Sequence, residues 1–141
     1  MNPIFKQYTV AELYVPISKP NTLETGSENE LPFVGFRPTG VPFFDAFLKN
    51  LYNHGIQNAK IHAQKLNMNY REMCMGVHIF TGKSYTDFVN EFILYLAIDL
   101  LKNKPPKTGL KSISERLGFG SYSGFYNFMI RHRRWQKKTY S

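Results

Sequence analysis

The sequence predicts an all-α protein: two helix-turn-helix subdomains joined by a long central linker helix and preceded by an irregular N-terminal arm. Three observations predict it. Residues 84–103 hold an unbroken apolar run from Phe92 to Ile98, and Tyr85, Phe88, Val89, Leu100 and Leu101 extend it at helical spacing. A short pattern of small residue, apolar residue and tight turn occurs on either side of that run, around Ala63 and again around Ser114. Six of the eight prolines fall in the first 42 positions, which argues against long regular elements there.

The central run has too few polar residues for a broad wet face, so the helix it forms is expected to be buried on most sides. Ser84, three residues before Asp87, offers a capping oxygen and a first-turn carboxylate at its start. Pro105 and Pro106 supply the stop, because the residue before a proline leaves the helical region. Asp87, Asn90, Glu91 and Asp99 interrupt the run. Its pure apolar part falls far short of the roughly 20 residues a membrane span needs. No membrane partner is expected.

The totals bound the rest. A chain of 141 residues fits one modest domain or a small domain with an extension, and 43% hydrophobic content suffices for a core. The net charge of +8 suggests a polyanionic partner. Residues 1–41 carry three cations against four carboxylates, so residues 42–141 carry a net +9. Cys74 is the single cysteine, which excludes an intrachain disulfide and suits a reducing compartment. Residues 1–14 lack a basic leader and a continuous apolar segment, so a cytoplasmic location is expected.

In the arm, residues 1–41, the stretch 4–17 alternates loosely as a strand would, yet Thr9 with Glu12 is a capping-box pattern for a short helix. Both readings stand. Residues 20–30 read as a polar surface loop, and residues 31–36 as an extended segment laying Phe33 and Phe36 on the main body. From Pro42 the period becomes helical: Phe43, Phe44, Phe47, Leu48 and Leu51 share a face that ends near Gly55.

The first unit spans about 56–82. A short helix over 58–66 directs Ile61, Ala63 and Leu66 inward; 67–69 turns; a second helix over about 70–80 buries Met73 and Val77 and ends at Gly82. The linker spans 84–103. The second unit, about 110–134, repeats the plan with a turn at 118–121 and a helix burying Phe125, Phe128 and Met129. Ala63 aligns with Ser114 and Asn67 with Gly118, but Met73 with Phe125 and Val77 with Met129, so the second turn holds one extra residue. The small residue lets two helices nearly touch, and Asn or Gly meets a positive φ. A second helix so placed is free to enter a major groove.

Phe80-Thr81-Gly82 leading into the linker, Ala97 with Leu100-Leu101 inside it, and IxxRLGFGSYSGF over 113–125 carry a resemblance to the AraC/XylS-type DNA-binding domain. The resemblance covers about 44–138 and implies seven helices and two recognition helices in successive major grooves of double-stranded DNA. It implies a bacterial transcription regulator whose protein partners are RNA polymerase or another regulator. By position, Arg71, Cys74 and Met75 of the first unit, and Tyr122, Ser123, Gly124 and Asn127 of the second, would face bases. Tyr70, Arg131, Arg133, Arg134, Lys137 and Lys138 would face phosphates, with Tyr122 also able to bond one and Trp135 among the cations of the tail. Two departures stand out: Ile93 replaces a linker arginine, and residues 131–138 replace the usual closing motif. The family's ligand-binding barrel cannot fit in 41 residues.

Cys74 and His78 stand four apart, but no second pair joins them as metal ligands. No histidine has a Ser or carboxylate at suggestive spacing, and no Gly-rich phosphate loop occurs, so neither an enzyme nor a cofactor is expected. The rival expectation is a degenerate helix-turn-helix fold serving as a protein–protein interaction module, motivated by Ile93, by Cys74 and Met75 as weak base readers, and by the missing terminal motif. Charge on the recognition faces separates the two.

Overall fold

A computed structural model describes residues 6–16, 35–103 and 109–132. Among these the elements are α1 (Val10–Leu13), β1 (Tyr14–Val15), β2 (Gly35–Phe36), α2 (Pro42–His54), α3 (Ala59–Lys65), α4 (Tyr70–Thr81), α5 (Tyr85–Asn103), α6 (Leu110–Arg116) and α7 (Tyr122–Arg131). The class is all-α, with β1 and β2 forming one antiparallel pair that sets Tyr14 opposite Phe36.

The long helix α5 is the centre of the core. Phe88, Phe92, Ile93, Leu96 and Ala97 are fully buried on it, and the Ser84 hydroxyl accepts the Asp87 amide at 3.1 Å to start it. Ile93 sits where an arginine would need a buried partner, and its burial suits the apolar residue present. Against α5 lies α2, begun by Pro42 and ended by Gly55. Phe44 and Phe47 of α2 stack at 5.9 Å, and Phe44 reaches Phe80 and Phe88 at 5.7 and 5.9 Å. Each such ring taken out of water contributes roughly 1.5–3 kcal/mol.

The two readings of residues 4–17 each hold in part. Thr9 and Glu12 close a capping box that opens α1, and the chain then extends into β1. The box and the Lys6 ammonium hold the Glu12 carboxyl below its usual range. Val10, Leu13 and Tyr14 are buried in the same core as α2 and α5, and Val15 is buried beside them in the chain. The Tyr8 amide donates to the Phe80 carbonyl at 2.7 Å, and the Tyr14 hydroxyl donates to Asp99 Oδ2 at 2.6 Å. Asn103 Nδ2 donates to the other Asp99 oxygen at 2.7 Å, so this buried carboxylate is bonded on both sides. Of the segment 31–36, residues 35–36 are described; they are extended, and Phe36 packs on the core. Phe33, the loop at 20–30, and Pro105 and Pro106 lie outside the described residues.

One inward assignment is corrected. Ile61 is 48% exposed, and His62 is fully buried in its place. The His62 ring stacks on Phe47 with centroids 4.6 Å apart and planes 7° apart, and its Nδ1 lies 3.1 Å from the Tyr85 hydroxyl. That hydroxyl donates to the Gln57 carbonyl at 3.0 Å, so its lone pair is left to accept the Nδ1 proton. A stacked, bonded imidazole therefore occupies the inner face of α3, and Ile61 turns out by one position.

Candidate nucleic-acid interface

The two helix-turn-helix units are built from the same backbone bonds. In the first, the Met68 amide donates to the Ala63 carbonyl at 3.1 Å and the Asn67 amide to Gln64 at 3.1 Å. In the second, Phe119 donates to Ser114 at 3.0 Å and Gly118 to Glu115 at 3.1 Å. Each is the Schellman pattern that closes a helix on a residue with positive φ, here 56° at Asn67 and 89° at Gly118. The small residues Ala63 and Ser114 are buried at both crossings.

The second helix of each unit opens on a side-chain cap. Asn69 Oδ1 accepts the Arg71 and Glu72 amides at 2.8 and 3.3 Å, and Ser121 Oγ accepts the Gly124 amide at 3.1 Å. The caps stand 52 residues apart, the positive-φ residues 51, so the extra residue falls inside the second turn. Met73 and Val77 of α4, and Phe125 and Phe128 of α7, face the core, with Met129 half-buried beside them.

The opposite faces are open. On α4 one row runs Tyr70, Cys74, His78 and the next Arg71, Met75, Ile79; every member is exposed except Cys74, which is half-buried. Burial pushes the Cys74 thiol up, so it is a neutral, poorly nucleophilic group. On α7 the matching rows are Tyr122, Tyr126, Ile130 and Ser123, Asn127, Arg131, all exposed, with Gly124 half-buried at the start. The Lys60 ammonium lies 5.5 Å from the Tyr70 ring centre, which places one cation beside the first row. Tyr70, Met75 and His78 also border a shallow groove of about 600 Å³ whose buried members include Tyr85.

Arg71, Met75, Tyr70, Tyr122, Ser123, Asn127 and Arg131 are thus all accessible, and Cys74 is partly so. Arg133, Arg134, Trp135, Lys137 and Lys138 lie outside the described residues. The rows also hold His78, Ile79, Tyr126 and Ile130. Four-residue spacing from Tyr70, Arg71 and Tyr122, on the face away from Val77 and Phe128, is the signal that marks them. The described charges on these faces are few: Arg71 and the adjacent exposed Glu72 on α4, with Lys60 beside them, and Arg131 on α7. The large apolar side chains exposed in the described residues are Ile61, Tyr70, Met75, Ile79, Leu110, Tyr122, Tyr126 and Ile130, every one on a helix of the two units.

The described residues contain no group of three or more His, Cys, Asp or Glu placed to hold a metal, and no helix long and apolar enough to cross a membrane. Comparison of the chain with protein-family models, with curated proteins and with solved structures returned no match.

Proposed function

We propose that this chain is a sequence-specific DNA-binding transcription regulator of the AraC/XylS type, acting in the cytoplasm, with α4 and α7 entering adjacent major grooves. One observation carries the reading: a single turn-and-cap device is built twice, on either side of a buried helix, and leaves an accessible row on each second helix. Arg71 can donate two bonds to guanine, and Asn127 can pair with adenine. Arg131 and the cations of 133–138 supply sequence-blind phosphate affinity. The test is binding to mixed-sequence duplex DNA at 50 and 200 mM salt. For about six phosphate contacts the affinity should fall roughly 10³-fold; no binding at low salt, or no decline, ends the proposal.

A second reading, a protein-interaction module on the same fold, is favoured by the sparse charge of the rows and by the placement on the two units of the eight large apolar side chains exposed among the described residues. It predicts a protein partner and salt-independent behaviour toward DNA.

A further inference from the structure

Resting on the DNA-binding reading, we infer that the first unit recognises thymine through its C5-methyl group, with Met75 as the principal contact. Arg71, Met75 and Ile79 follow one another at four-residue spacing on α4. Only Arg71 can make directional bonds to a base; Met75 is 63% exposed and Ile79 37%, and neither has a hydrogen-bonding group suited to base edges. In the major groove the one apolar feature on a base edge is the thymine methyl. A thioether with three rotatable bonds adapts to such a group.

The surroundings agree. Beside Met75 the half-buried Cys74 stays protonated and adds no charge. The groove next to this row, bordered by Tyr70, Met75 and Ala59, offers a mainly apolar surface. Four residues of helix advance about 6 Å, close to two base-pair steps of about 3.4 Å. The first half-site is therefore a guanine, met by Arg71, with a thymine about two base pairs away. In the second unit the equivalent positions, 52 residues on, are Ser123, Asn127 and Arg131, which read by hydrogen bonds. The two half-sites differ in kind: one depends on a methyl group and one does not.

The experiment begins with duplexes enriched by the full-length chain from a randomised pool. The enriched duplex is resynthesised with deoxyuridine for thymine, which removes only the methyl groups. Wild type should lose about fourfold in affinity per methyl contacted. Met75→Ala, at an exposed position, should bind both duplexes equally, whereas Asn127→Ala should keep the methyl dependence while binding more weakly. Equal binding of the two duplexes by wild type overturns the inference and leaves the DNA-binding reading intact. Absence of any salt-dependent binding or enrichment overturns both.

Discussion

The first helix-turn-helix unit closes its turn on Asn67 in the open, and the second closes on Gly118 against other backbone. Both turns use the same two Schellman bonds, yet the residues that fill them are set by different neighbours. At Gly118 the Ile56 amide donates to the Leu117 carbonyl at 2.8 Å, and a Cβ would stand 2.6 Å from Ile56 N and O. Gly55 is the other half of this approach, since a Cβ there would stand 2.2 Å from the Leu117 carbonyl. The second turn is docked on the end of α2 by a backbone bond; in the first, Asn67 itself is exposed. The same contrast runs through the first helices, where His62 of α3 and Ile113 of α6 occupy one position with a buried imidazole and a buried aliphatic chain. Backbone geometry is common to the units, and packing decides which side chain realises it.

The sharpest way to break this comparison is at the turns. Gly118→Ala adds left-handed strain and an overpacked contact, so a loss of about 2–5 kcal/mol is expected from urea unfolding. Asn67→Ala meets the strain alone and should cost about 1–2 kcal/mol. Equal losses at the two sites would show that the Ile56 contact has no bearing on the second turn.

The next effect is pH dependence. Burial drives the His62 pKa down to about 4 from 6.5, against a smaller opposing pull from the Phe47 carbonyl. The unfolded chain then binds a proton that the folded chain refuses. Stability from this group is fully present above about pH 6.5 and is lost as pH falls toward 4. Between pH 8 and 5 the loss should reach on the order of 2 kcal/mol. His62→Ile, which copies the second unit, should flatten that slope in urea titrations at the two pH values. An unchanged slope would place the acid sensitivity elsewhere.

Much of this fold was legible because its signals are local. Asn67 and Gly118 announce positive φ, Asn69 announces a cap, and the period of 84–103 announces a buried helix, whereas Ser121 reads only as the end of a turn and caps α7 in the fold. His62 was not legible: alone in a sequence, a histidine beside isoleucine reads as the outward residue. Only the approach of Phe47 and Tyr85, from 15 residues before and 23 after, makes it the inward one. The docking of Gly118 on Gly55 was hidden for the same reason, since a positive φ alone already accounts for glycine. The exposed rows of α4 and α7 lay between these cases. Arg71, Met75, Ser123 and Asn127 follow from their position in the domain the sequence resembles, while the exposure of each emerges only in the fold.

The smaller tests concern the caps and then the rows. Asn69→Ala removes an oxygen serving two amides, and Ser121→Ala one serving a single amide, so losses of about 1 kcal/mol are expected, with Asn69 the larger. Exchanging the first row positions, Arg71→Ser with Ser123→Arg, should move stability by less than about 0.5 kcal/mol because both side chains are exposed and neither is a cap. Net charge is unchanged, so the salt dependence of DNA binding should be preserved. On the proposed DNA-binding reading the preferred sequence should change, since the guanidinium fork moves from α4 to α7. Sequences enriched from a randomised duplex pool decide it: the same consensus for the exchanged and native proteins would mean that these positions do not face bases, whatever binds the phosphates.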